Sequence, residues 1–182
     1  MKENTSAVSL LTGAAIVVVV FVVVFAVAAP IWLAVAVRPV EAATDPIVVI
    51  VNSSNPVDSL SMGELRKLFL SDNSHWDTGK AVAPVMVGPG APERTSFLKI
   101  VCGMNDGDLA RYFLRAAFTG KSATPPKEVS SPSAVKSFVA TSQGAIGFLK
   151  AGDFHGDGSE GAFKAVKIDG VTAGDSGYGL RM

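Results

Sequence analysis

The sequence lacks several features that would point to a familiar activity. Its 182 residues include a single cysteine, so an internal disulfide bond cannot form. Sixteen basic residues balance sixteen acidic ones and form no basic run, which argues against binding to nucleic acid. His75 has no second histidine or cysteine nearby, so we expect a surface imidazole rather than a metal ligand. Spacing reveals neither a catalytic triad nor paired carboxylates, and we expect a protein that is not an enzyme and needs no cofactor.

One hydrophobic run is conspicuous. Every residue from 14 to 37 except Pro30 is apolar, and as a helix these 24 residues would measure about 36 Å, enough to cross a bilayer. This length favours a retained transmembrane anchor, whereas the small residues Ala42 and Ala43 would suit cleavage of a signal segment. Both readings predict export, with residues 1–43 as anchor or signal and residues 44–182 as an extracytoplasmic domain.

The remainder alternates between strand and helix patterns. Apolar runs predict strands at residues 46–51, 85–87, 144–149 and 163–168, and helical periodicity follows Ser61, Pro92, Asn105 and Ser131. The continuous apolar run of the first strand is typical of a strand covered on both faces in a parallel sheet. Residues 151–161, rich in glycine and aspartate, are predicted to be a flexible connection. The alternation predicts an α/β fold with a largely parallel sheet.

Several local signals can be read directly. Ser61 and Glu64 have the spacing of a capping box, which predicts the start of a helix. Gly103 is placed to end the helix that begins near Pro92, and Cys102 lies on that helix's apolar face, where a buried thiol is expected. The two glycines of residues 144–149 predict close approach of another part of the chain.

Residues 84–103 combine a short strand, a glycine-rich turn at residues 88–91 and a helix that starts at Pro92. Such a turn directs free backbone N–H groups and the positive end of the helix dipole at its occupant, which predicts an anion site with Arg94 near its mouth. The alternative is an ordinary strand-to-helix connection with a solvated arginine. Glu93 supports that alternative, because a carboxylate in the first turn would repel an anion.

Ordered stretches of the sequence resemble a known family. They are residues 47–70, 76–85, 92–103, 111–120, 125–129, 144–149 and 166–180. Together they are similar to the phosphate-type substrate-binding proteins of bacterial ABC importers, which have a periplasmic-binding-protein-like domain. The resemblance implies a single α/β lobe of three layers that binds a small oxyanion such as phosphate. It also implies an ABC permease as a candidate partner, and Gly90, Ala91, Arg94 and Thr95 as candidate ligand-binding residues.

The sequence departs from this family in two respects. The chain has length for about one lobe, whereas phosphate-binding members close two lobes around the ligand. The family's central loop reads like G-S-G-T-R, and of residues 90–94 only Gly90 and Arg94 match it. The hydroxyls are replaced, Pro92 removes one N–H donor and Glu93 adds a carboxylate. These differences predict weak or altered oxyanion binding, or a membrane-tethered interaction or sensory domain that keeps the fold without a ligand.

Overall fold

A computed structural model describes residues 45–72, 74–154 and 161–182. The hydrophobic run at residues 14–37 lies outside the described residues, and so does most of the connection predicted at residues 151–161. No helix in the described part of the chain could cross a bilayer.

The described residues form a six-stranded sheet with helices on both faces. Its strands, in chain order, are β1 (Ile47–Asn52), β2 (Ser59–Leu60), β3 (Ala83–Val87), β4 (Lys127–Val129), β5 (Ala145–Lys150) and β6 (Phe163–Ile168). The helices are α1 (Met62–Phe69), α2 (Pro92–Phe97), α3 (Asp106–Phe118), α4 (Pro132–Thr141) and α5 (Ala151–Phe154). The spatial order of the strands is β2-β6-β1-β5-β3-β4.

Parallel pairing accounts for three of the five contacts between neighbouring strands, namely β2 with β6 and β3 with both β4 and β5. β1 is antiparallel to both of its neighbours, β5 and β6. The prediction that this strand lies among parallel strands is therefore wrong. An apolar run predicts that both faces of a strand are covered, and this is confirmed because all six residues of β1 are buried. Such a run does not reveal the direction of the neighbouring strands.

The central strand divides the core into two layers. Ile47, Val49 and Val51 face one hydrophobic cluster, and Val48 and Ile50 face the other, as the two-residue period of a strand requires. The first cluster is covered by α1, α2 and α3, and the second by α4. This arrangement confirms the predicted three-layer α/β lobe.

Three phenylalanines hold the first layer together. Phe97 of α2 stacks on Phe148 of β5 with ring centroids 3.9 Å apart, and Phe69 of α1 is tilted against both. All three side chains are fully buried. Such aromatic pairs contribute about 0.5–1.5 kcal/mol beyond their burial, so α1 and α2 are fixed firmly on the sheet.

Local helix signals were predicted well. In α1, Ser61 Oγ accepts from the Glu64 N–H at 3.2 Å and the Glu64 carboxylate accepts from the Ser61 N–H at 2.8 Å, which confirms the capping box. Gly103 has φ of 67° and ends the helix as predicted. Between α2 and Gly103, residues Leu98–Cys102 form a π-helical turn that periodicity did not reveal.

Both glycines at β5 lie against other parts of the chain, as predicted. A Cβ on Gly144 would lie 2.0 Å from the Ala81 carbonyl oxygen, and one on Gly147 would lie 2.7 Å from Val135. The Gly144 carbonyl also accepts from the buried Trp76 indole at 2.9 Å. β2 and β4 are too short to give a periodic signal, and α5 occupies the first four residues of the predicted flexible connection, so that prediction is wrong there.

Candidate functional site

The glycine-rich turn lies at the carboxyl end of β3. The Gly88 N–H donates to the Val129 carbonyl of the edge strand β4 at 2.9 Å, which fixes the start of the turn. Gly90 has φ of +92°, a conformation that side-chain-bearing residues rarely adopt, so glycine is required there. Ala91 precedes α2 in extended conformation and provides no side-chain cap. The first backbone N–H groups of α2 therefore have no partner within the helix.

Three of the four predicted ligand-binding residues lie together at this turn. The Ala91 carbonyl accepts from the Thr95 backbone N–H at 3.1 Å and from the Thr95 hydroxyl at 3.2 Å. Gly90, Ala91 and Thr95 thus form one local unit whose outer surface is open to solvent, since Gly90 and Thr95 are both exposed. The Thr95 hydroxyl proton is already donated, so this side chain would have to rotate to donate to an anion.

Arg94, the fourth predicted residue, points away from solvent and is only 3% exposed. Its Nε lies 2.5 Å from Asp106 Oδ1, one Nη lies 2.8 Å from Glu128 Oε1, and the other donates to the Val87 carbonyl at 2.9 Å. These three contacts join α2 to β3, β4 and the first turn of α3. The guanidinium therefore ties four elements together beneath the turn.

Arg94 and Thr95 border different cavities. Arg94, Asp106 and Glu128 border a cavity of about 440 Å³ whose apolar walls include Met86 and Phe113. Thr95 borders a different cavity of about 270 Å³. The structure thus brings Gly90, Ala91 and Thr95 together and places the Arg94 guanidinium elsewhere. Ligand binding by the four residues stays a prediction.

Glu93 is buried beside the turn, with 3% of its surface exposed. Its Oε2 atom has no hydrogen-bond partner and lies 3.6 Å from Lys150 Nζ at the end of β5. β3 and β5 are parallel, so their carboxyl ends lie at the same edge of the sheet and bring Lys150 toward α2. Sequence reasoning identified the carboxylate as an obstacle to anion binding and did not find its lysine neighbour.

The charges around the turn favour cations slightly over anions. Glu93, Asp106 and Glu128 supply three carboxylates, and Arg94 and Lys150 supply two cations. Asp106, Glu128 and Lys150 were missed as site residues because they are distant in sequence from residues 90–95. Lys150 could have been suggested by its position at the end of the predicted strand at residues 144–149. The carboxyl ends of parallel strands lie at the same edge of a sheet, as does the glycine turn after β3.

A larger cavity of about 540 Å³ lies at the opposite end of β3, far from the glycine turn. Hydroxyls of Ser71, Ser122 and Thr124 line it together with Lys127 and the Phe138 ring. Lys127 Nζ lies 4.2 Å from the centre of that ring, so its charge is already in a cation–π contact. This cavity and the glycine turn predicted from sequence are therefore separate places.

Side chains that could bind a metal ion do not converge in the part of the chain that the structure describes. Within residues 45–72, 74–154 and 161–182, no cluster of three histidine, cysteine, aspartate or glutamate side chains could hold a metal ion. Burial raises the pKa of the Cys102 thiol to about 11, so it stays protonated at neutral pH, as expected for a packing residue. His75 is exposed, as predicted, and its Nδ1 lies 3.0 Å from the Ser74 hydroxyl.

No protein-family model and no curated protein matches the sequence. Solved structures do match. One, described as a phosphate ABC transporter substrate-binding protein from Clostridium perfringens with bound phosphate, is 23% identical with a TM-score of 0.55, over 71% of this chain and 47% of its own. An ABC-type phosphate transport receptor from Vibrio cholerae is 22% identical with a TM-score of 0.53, over 69% and 46%. PstS from Borrelia burgdorferi is 11% identical with a TM-score of 0.57, over 75% and 54%.

These matches confirm the resemblance predicted from sequence as a likeness of fold. The described domain has the fold of a periplasmic-binding-protein-like lobe, and its solved neighbours are binding proteins. The chain spans about half the length of the structures that it matches.

Proposed function

We propose that this chain is an extracytoplasmic solute-binding module of the phosphate type that binds a small oxyanion weakly. The observation that carries the proposal is the exposed glycine turn in front of α2, in a fold shared with phosphate-binding proteins. In this proposal the N–H groups of Gly90 and Ala91 and the hydroxyl of Thr95 contact the anion. We infer that the hydrophobic run at residues 14–37 anchors the domain to a membrane or serves to export it, so that the domain lies outside the cytoplasm with an ABC permease as its candidate partner.

Low affinity follows from the surrounding charges. Arg94, the strongest anion-binding group near the turn, is neutralised by Asp106 and Glu128. Glu93 adds a carboxylate close to the bound anion, and Lys150 balances it only in part because the two charged groups are 3.6 Å apart without a hydrogen bond. We therefore expect dissociation constants in the millimolar range.

Isothermal titration calorimetry of the full chain in detergent tests the proposal with phosphate, sulfate and molybdate. We expect saturable heat with at least one of them. Gly90→Ala should weaken binding because alanine disfavours the positive φ of the turn, whereas Gly63→Ala, at an exposed position of α1, should not change it. Absence of heat with all three anions would rule out the oxyanion-binding version.

A second candidate is a membrane-tethered interaction or sensory domain that keeps the fold without a ligand. The Arg94 network favours it, since a guanidinium held by two carboxylates and a carbonyl already has a structural task. Chemical cross-linking in membranes, followed by purification of the chain, would test this candidate. It predicts a reproducible cross-linked partner, and recovery of the chain alone would count against it.

A further inference from the structure

Helix α3 presents hydrophobic side chains on two different faces. Leu109, Phe113 and Ala116 are buried and complete the core contact of the helix. Leu114 and Phe118, one turn apart, lie on the solvent side and are 58% and 83% exposed. The core contact is satisfied without them, so these two side chains are available for a contact outside this domain.

The small residues Ala110 and Ala117 are exposed beside this pair. Three exposed cations lie in the same part of the chain: Arg111 and Arg115 in α3, and Lys121 just after it. We call these four apolar and three basic residues the Phe118 face. A helix that combines exposed leucine and phenylalanine with basic residues is typical of helices that lie on a membrane surface.

The acidic residues near the Phe118 face leave its cations available. Asp108 pairs with Arg111, and Asp72 pairs with Lys121 at 2.5 Å. Lys121 Nζ also donates to the Tyr112 hydroxyl at 3.3 Å, and Arg115 has no ion pair among the described residues. All four side chains in the two ion pairs are substantially exposed, and ion pairs of this kind contribute little stability because water and salt screen them. The cations can therefore exchange these partners for phosphate groups at small cost.

We propose that the Phe118 face docks on a bilayer surface that carries anionic lipid headgroups. Leu114 and Phe118 enter the boundary between headgroups and acyl chains, and Arg111, Arg115 and Lys121 contact the lipid phosphates. A second copy of this chain fits the face less well. A two-fold contact would place the same face of both copies in one interface and so gather six cations there.

The inference rests on the membrane association in the proposed function and not on oxyanion binding. Calorimetry with phosphate can therefore fail while docking succeeds, and the reverse also holds. A probe on the Phe118 face reports docking directly. Ala117→Cys carrying an environment-sensitive fluorophore provides it, because the native Cys102 is only 2% exposed and does not compete for the label.

The full chain would be placed in lipid nanodiscs with one copy per disc. Discs of phosphatidylcholine with phosphatidylserine would be compared with discs of phosphatidylcholine alone. Ser137→Cys, exposed on α4 at the opposite side of the sheet, is the matched control label. We expect the label at residue 117, and not that at 137, to shift its emission to the blue in anionic discs and to be quenched by nitroxide lipids.

Two sets of substitutions separate the apolar and the electrostatic contributions. Leu114→Ser with Phe118→Ser should abolish the shift, and thermal unfolding would check that the fold is kept. Arg115→Gln with Lys121→Gln should lower the docked-to-free ratio about fivefold for each cation removed and weaken the dependence on lipid charge. A label at residue 117 that stays in water on anionic discs would overturn the proposal. A shift that is absent from discs with one copy and appears only in discs loaded with two or more copies would overturn it as well, in favour of self-association.

Discussion

The Nε of Arg94 lies 2.5 Å from the carboxylate of Asp106, which opens the next helix. The contact joins α2 to α3 and holds the arginine side chain away from solvent. Arg94, which the sequence predicts to be a ligand-binding residue, therefore already holds four elements of the domain together. The contacts of Arg94 fix α2 beside the glycine turn, and they also neutralise the charge that would otherwise strengthen the anion binding that we propose.

The first prediction concerns the stability that Arg94 provides. Arg94→Ala should lower the free energy of unfolding by about 2 kcal/mol, since it removes charge-assisted hydrogen bonds and leaves the Val87 carbonyl unpaired. Arg94→Lys should recover only part of the loss because an ammonium cannot reach three acceptors in one plane. Urea unfolding measures both variants. Arg115→Ala on the exposed face of α3 is the control and should stay within about 0.5 kcal/mol of the wild type; an equal effect of both alanine variants would contradict the assignment.

Removal of the carboxylate beside the turn should strengthen anion binding. Glu93→Gln keeps the shape of the side chain and eliminates its charge, so we expect phosphate affinity to rise roughly fivefold, the size of one unfavourable charge at a helix start. Calorimetry at constant ionic strength measures the change. Asp77→Asn, an exposed site near the amino end of β5, should leave the affinity as it is. Unchanged affinity of Glu93→Gln would show that the anion does not bind near α2.

Gly144 tests how closely the chain packs at the start of β5. Gly144→Ala should cost about 3 kcal/mol or more, because its Cβ would overlap a backbone carbonyl that cannot move independently. Gly63→Ala has open space around it and should stabilise α1 by about 0.5–1 kcal/mol. Thermal unfolding compares the two variants, and similar melting temperatures would refute the close contact with Ala81.

Buried protonated groups should make the domain sensitive to alkali. Burial raises the pKa of Tyr178 to about 12 and that of Cys102 to about 11, above their ordinary values of 10.0 and 9.0. The folded state thus holds these protons more tightly than the unfolded chain. Their stabilisation is complete below about pH 9 and is lost as pH rises through 11 and 12.

The measurement is the free energy of unfolding as a function of pH. Tyr178→Phe should lose about 1 kcal/mol at neutral pH, because the Tyr178 hydroxyl donates to the buried Ile47 carbonyl at 2.6 Å. It should also lose less stability than the wild type above pH 10 because, of these two buried groups, only Cys102 is left in the variant. Parallel pH profiles of the two proteins would contradict the role of Tyr178.

Local features of this domain could be predicted from sequence, and relationships across the sheet could not. Capping by Ser61, the stop at Gly103 and the burial of β1 each depend on residues close together in the chain. The direction of the strands beside β1 depends on topology, which an apolar run does not contain.

The candidate site shows the same division. The glycine turn and the position of Glu93 in the first turn of α2 follow from sequence. The contacts of Arg94 with Glu128 and of Glu93 with Lys150 join residues more than thirty positions apart and arise only when β3 pairs with its two parallel neighbours. In the function that we propose, those contacts determine how strongly the turn binds an anion.

Phosphate titration of the full chain in detergent micelles, followed residue by residue in ¹H–¹⁵N NMR spectra, tests the central claim most directly. We predict saturable shifts of the Gly90, Ala91 and Thr95 amide signals at millimolar phosphate, without comparable shifts in chloride at the same ionic strength. The Nε signal of Arg94 should move little, because Asp106 retains it. Absence of saturable shifts at residues 90–95, or shifts confined to the distant 540 Å³ cavity, would contradict the account.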